Sequence, residues 1–194
     1  IPLEDRGDAI LIMCSLYIRE PSLVELVRRL AAEFPERQVL LQVKPDYSRM
    51  AEGPGFIEEC TNGLDNVQLT NAPVYELLAR TRYVFSDPST AVMEAVQFGA
   101  CSFTIDLSAI HKTSPLRDIP EICVASGEQA VDKIRSIEDG SKPYPIETLA
   151  KFVNLKGECF HDRIRRDLGL PVREEPIPIW PICGQDQPRK SAQS

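Results

Sequence analysis

Short unbroken apolar runs alternate along this chain with segments whose apolar residues recur every three or four positions. The first run, residues 8 to 18 (DAILIMCSLYI), is continuous enough to predict a strand covered on both faces. Pro21 then opens a helix in which Leu23, Leu26, Val27, Leu30, Ala31 and Phe34 share one face. Glu25, Arg28, Arg29 and Glu33 take the other face, and Pro35 ends the helix. Residues 38 to 43 (QVLLQV) predict a second strand, left through Lys44-Pro45-Asp46, and a helix is expected over Pro54 to Cys60. Val67 to Leu69 predict a third strand, from which Thr70-Asn71-Ala72-Pro73 leads into a helix over Val74 to Ala79.

Residues 82 to 99 (RYVFSDPSTAVMEAVQFG) carry the densest local signal. Arg82 to Phe85 form a β-rich strand, and Ser86-Asp87-Pro88-Ser89-Thr90 follows as a helix start, with Asp87 expected as N-cap and Pro88 at the first helical position. The amides of Ser89 and Thr90 would then point outward, and such a helix end favours an anion such as a phosphate. Glu94 follows one turn later, within reach of a sugar hydroxyl beside that phosphate. The plainer alternative is a capped helix start and nothing more. Strands are next expected at Cys101 to Ile105 and Ile122 to Ala125, and Ser126 with Gln129 predicts a capping box for a helix carrying Ala130, Val131, Ile134 and Ile137.

Strands that alternate with helices or long connections predict an α/β fold, a parallel sheet with helices on both faces. Ligands of such sheets bind beyond the carboxyl ends of the strands, so Ser15 to Glu20, Lys44 to Tyr47, Thr70 to Val74 and Ser86 to Thr90 should meet on one rim. A long amphipathic helix is expected from Pro145 to Leu168, packed back across the domain. The predicted organisation is one domain over 1–170 and an extended tail over 171–194, which holds five prolines.

Composition narrows the function. The chain has 194 residues, 43% hydrophobic and 26% charged, with no apolar run long enough to span a bilayer and no visible signal peptide. Its formal charge of −7, from 29 acidic and 22 basic residues, argues against nucleic acid as a partner. The cluster Arg163, Arg165, Arg166 reads with Asp162 and Asp167 as a solvated, salt-bridged face. Six cysteines lack CxxC spacing and read as free buried thiols of a cytoplasmic protein. Two histidines fifty residues apart, His111 and His161, give no metal site. Tyr17 and Tyr47 read as half-buried packing residues, with base stacking as the alternative.

The order of segments over roughly residues 8 to 168 resembles the carboxy-terminal, nucleotide-sugar-binding half of two-domain GT-B glycosyltransferases, with the related UDP-sugar 2-epimerases. The resemblance rests on the Ser/Asp-rich turn Ser86-Asp87-Pro88-Ser89-Thr90, then Glu94-Ala95 and Gly99. It implies a Rossmann-like domain in which Ser89 and Thr90 hold a diphosphate and Glu94 a ribose. Thr70 to Val74, including Asn71 and Val74, would flank the base, and Lys44-Pro45 would place a cation near the phosphates. Fixed amide donors and a cation there would stabilise charge growing on the leaving phosphate. Lys44 and Arg19 are the candidate cations, the alternative for each being an ordinary surface charge. Two features differ from the family pattern: Ser86 stands where an acid pairs with a second glutamate, and Pro88 and Ser89 replace turn glycines.

The resulting expectation is the donor-binding half of a glycosyltransferase of surface polysaccharide or glycoconjugate synthesis, with no separate cofactor and its catalytic residues unassigned. Its missing partner would be an amino-terminal, acceptor-binding half, without which it binds but does not turn over. Two alternatives remain: a non-catalytic interaction module of the same fold, and half of a UDP-sugar 2-epimerase.

Overall fold

In the computed structural model, residues 7–14, 21–44, 53–107, 118–153, 166, 168–169 and 171 are described. The elements run β1 (Ala9–Cys14), α1 (Pro21–Glu33), β2 (Val39–Val43), α2 (Gly53–Thr61), β3 (Val67–Leu69), α3 (Val74–Arg80) and β4 (Thr81–Ser86). They continue through α4 (Thr90–Gln97), β5 (Cys101–Ile105), β6 (Cys123–Val124), α5 (Gly127–Glu138) and α6 (Ile146–Leu149). The six strands form one sheet in the order β3-β2-β1-β4-β5-β6, every neighbouring pair parallel. The chain is therefore an open, Rossmann-like α/β sheet, as the alternation of runs predicts.

Successive strand residues face opposite ways, and the apolar residues divide accordingly. Ile10 and Ile12 of β1, Val39 and Leu41 of β2 and Tyr83 and Phe85 of β4 join one cluster with α1, α2 and α5. Leu11, Met13, Leu40 and Val84 join a second, smaller cluster with Leu77 and Leu78 of α3 and Ala95 of α4. Gly99, at φ +81°, takes the left-handed conformation that ends α4 and brings the Ala100 N–H to the Ala95 carbonyl at 3.0 Å. The chain enters β5 one residue later.

Strand β6 is only two residues long and pairs with Thr104 and Ile105 alone. Ser102 of β5, fully buried, has no strand beside it on that side. The Tyr144 hydroxyl takes the strand's place, accepting from the Ser102 N–H at 2.9 Å and donating to the Ser102 carbonyl at 2.6 Å. Phe103 stacks on Phe85 and meets Tyr144 edge-on, which holds the phenol at the sheet edge.

The structure departs from expectation in two places. Residues 120–122 form a 3-10 turn, so β6 starts at Cys123. Of the helix expected from Pro145 to Leu168, the described residues show Ile146–Leu149 helical with Ala150 as C-cap, a turn and a bend through Val153, and Arg166 helical again, while Ile146, Leu149 and Val153 bury into the core. Beyond Val153 the expected helix and the tail over 171–194 lie outside the described residues, apart from 166, 168–169 and Pro171. The cysteine reading holds where it is tested: Cys14, Cys60 and Cys101 are buried free thiols, and Cys123 is free and half-buried.

Two measurements test this packing. Tyr144→Phe leaves two buried backbone groups of Ser102 unpaired and should destabilise the domain by about 1–3 kcal/mol, read as a lower urea midpoint. Burial pushes the Cys60 thiol up to about 12 and also raises Cys14 well above its ordinary value, with the Asp87 carboxylate adding to the effect on Cys14. Unfolded thiols ionise near ~8.5, so stability is intact below that pH and falls as pH rises from there toward the folded values. Urea melts between pH 8 and 11 should show that decline, with a shallower slope in Cys60→Ala.

Candidate functional site

Connections leave β1 and β4 in opposite directions, β1 toward β2 and β4 toward β5, while the two strands lie side by side. In open parallel sheets such a reversal is where a crevice forms. A cavity of about 260 Å³ sits there, lined by Met13 and Cys14 of β1, Gln42, Val43 and Lys44 at the end of β2, and Asn71 and Val74 before and in α3. Ser86, Asp87, Ser89 and Ala91 close the fourth side.

Larger hollows lie elsewhere. One of about 510 Å³ lies between α5 and residues 142–145, where Lys133 already donates to the Pro120 and Glu121 carbonyls at 3.1 and 2.7 Å. Burial lowers the pKa of that ammonium. Others of about 580 and 330 Å³ lie beside α1 and against the amino ends of β1 and β2. Position at the strand ends outweighs size, because there backbone groups and loop side chains converge.

Of the residues predicted from sequence, Lys44, Asn71, Val74, Ser86, Asp87 and Ser89 share the cavity wall. Thr90 and Glu94 do not line it: Thr90 is exposed at the start of α4, and Glu94 is half-buried one turn further along. Arg19 lies outside the described residues, as do Pro45, Tyr17, Tyr47 and His111. Met13, Cys14, Gln42, Val43 and Ala91 were not singled out by sequence. Gln42 had a signal, a polar side chain next to last in a buried strand. Its Nε2 donates to the Ala72 carbonyl at 2.9 Å, tying the loop before α3 to the end of β2.

The helix start differs from the one predicted. Ser89, not Asp87, is the N-cap, with extended backbone (φ −150°, ψ 169°), and α4 begins at Thr90. Pro88 is therefore outside the helix. The reason is the sheet: the Asp87 N–H bonds back to the Met13 carbonyl at 3.3 Å, so Asp87 still belongs to the β1–β4 ladder and is only 3% exposed. The Ser89 hydroxyl accepts from the Ala91 N–H at 3.3 Å and lies 3.3 Å from the Ser86 hydroxyl. The Val92 N–H turns back to the Ser89 carbonyl at 3.3 Å.

Charge divides the cavity. Among its lining residues Lys44 is the one cation, exposed at the rim, and Asp87 the one carboxylate, buried in the wall. The exposed Lys44 ammonium favours an anion at the rim. A neutral group fits the floor of Met13, Val43 and Val74. Among the described residues no group of three His, Cys, Asp or Glu side chains is placed to hold a metal ion, and no helix is long and apolar enough to cross a membrane.

No family model matches the sequence, and no curated protein matches it. Solved structures do resemble the fold. The crystal structure of UDP-GlcNAc 2-epimerase from Neisseria meningitidis bound to UDP-GlcNAc matches with a TM-score of 0.52 and 11% identity, over 70% of this chain and 38% of that one. The S. aureus MnaA–UDP co-structure matches with a TM-score of 0.55 and 13% identity, over 87% of this chain and 47% of that one. At these identities the likeness is one of fold, and this chain spans less than half the length of either structure. The architecture is that of one half of a GT-B-like protein.

Proposed function

We propose that this chain binds the nucleotide-diphosphate part of an activated sugar, as one half of a two-domain enzyme whose other half carries the acceptor site and the catalytic base. The observation that carries this reading is the cavity at the β1/β4 reversal, which combines an apolar floor with a rim of Lys44 and Ser89. The floor suits a ring and the rim suits phosphoryl oxygens. Glu94, outside the cavity and one turn along α4, is placed for a ribose hydroxyl only if the ligand extends past Thr90.

The chemistry of the whole enzyme is a separate matter. A glycosyltransferase of polysaccharide or glycoconjugate synthesis and a sugar-nucleotide 2-epimerase both need a bound nucleotide diphosphate as leaving group, and fixed donors at its phosphates stabilise either transition state. The two neighbouring folds, one an epimerase holding UDP-GlcNAc and the other holding UDP, favour the epimerase as the second reading. Joined to a complementary half, the two readings separate by product: a new glycosidic bond in one case, an inverted C2 centre in the other.

Binding can be read at Met13, which lines the cavity, against Met93 on α4, which does not. In a chain carrying ¹³C-methyl methionine, UDP should shift the Met13 signal and leave Met93 in place, and nucleotide diphosphates that all leave Met13 unmoved would overturn the proposal. Lys44→Ala should weaken UDP binding roughly fivefold at low ionic strength and by less as salt rises, since the rim charge is exposed.

A further inference from the structure

The hydroxyls of Ser86 and Ser89 lie 3.3 Å apart, and their surroundings decide which one donates. Ser86, at the end of β4, is 2% exposed, and among the described residues Ser89 is its hydroxyl's hydrogen-bond partner. Ser89 is exposed at the rim. A hydroxyl carries one proton and two lone pairs, and a buried proton left without an acceptor costs more than a surface one that water can receive. Ser86 therefore gives its proton to Ser89. The Ser89 oxygen also accepts the Ala91 N–H, so both of its lone pairs are filled. Its own proton has one direction left, away from the helix and out of the Ser86 contact.

We infer that Ser86 is a positioning residue that turns the Ser89 hydroxyl into an obligate donor, aimed at a phosphoryl oxygen on the rim. The inference rests on the nucleotide-binding reading above and names how this helix start serves it. The Ala91 amide does not reach the ligand itself. Its polarity passes through the Ser89 oxygen, and two donors feeding one hydroxyl make that hydroxyl a stronger donor in turn. A ligand group that needs to donate a proton finds no acceptor at Ser89. A phosphoryl oxygen, which only accepts, fits without rearrangement.

The test uses inorganic pyrophosphate and UDP, titrated into the ¹³C-methionine chain and its variants, with urea midpoints in parallel. Ser86→Ala should weaken both ligands roughly fivefold, the scale of one hydrogen bond to a charged group, without a matching loss of stability. Ser86→Thr, which keeps the hydroxyl, should restore binding. Ser89→Ala should weaken binding by at least as much, and the double variant should be no worse than Ser89→Ala alone, because Ser86 acts only through Ser89. Wild-type affinity in Ser86→Ala, or losses that multiply in the double variant, would remove the relay while leaving the nucleotide site standing. A native chain that binds neither UDP nor pyrophosphate would remove both.

Discussion

Two parallel strands, β1 and β4, lie side by side at the centre of the sheet, and the chain leaves them in opposite directions. That reversal is the constraint on which the rest of the molecule depends. Because β1 is covered on both faces, its residues Ile10, Leu11 and Ile12 are fully buried, and its register with β2 and β4 is held from both sides. The strand ends are thereby brought to one level. The crevice is a consequence of topology before it is a consequence of any side chain.

The periphery keeps that centre rigid through contacts that replace missing backbone partners. Tyr144 stands in for a strand beside Ser102. Glu25 of α1 accepts the Gly127 N–H at 3.0 Å, capping α5 from a different helix, and a Cβ at Gly127 would lie 2.9 Å from that carboxylate and 2.7 Å from the Arg29 Cβ. Only glycine allows α1 and α5 to approach so closely. At the amino ends of the strands, Arg37 pairs with Asp8 at 2.9 Å and Glu138 at 2.7 Å, and Glu138 also accepts from Tyr83 at 3.0 Å. These ties lie opposite the crevice and leave its rim open.

At the crevice itself, the sheet and the helix compete for the same short turn. Asp87 stays with the ladder, so α4 starts later than the local sequence suggests and its cap falls to Ser89. The shift buries a carboxylate in the cavity wall and brings a hydroxyl to its rim.

Much of the architecture was legible from residue order. The runs at 38–43, 67–69 and 101–105 are strands where they were expected, Ser126 caps α5 with Gln129 reaching back to the Ala125 N–H, and the parallel arrangement follows from alternation. These features depend on neighbours in sequence, and burial period and capping chemistry are local. Of the segments expected on one rim, Lys44, Asn71, Val74, Ser86, Asp87 and Ser89 lie together, as strand ends in a parallel sheet share one side, while Ser15 to Glu20 and residues 45–47 lie outside the described residues. The cap at Ser89 and the place of Gln42 in the cavity wall were not legible, because each is settled by a partner far away in the chain: the Met13 carbonyl and the carbonyl of Ala72. Sequence alone determined which segments would be strands and helices and that their ends would meet; which side chains face one another there was decided only by the folded sheet, because a hydrogen bond to a distant strand outweighs the preference of an isolated turn.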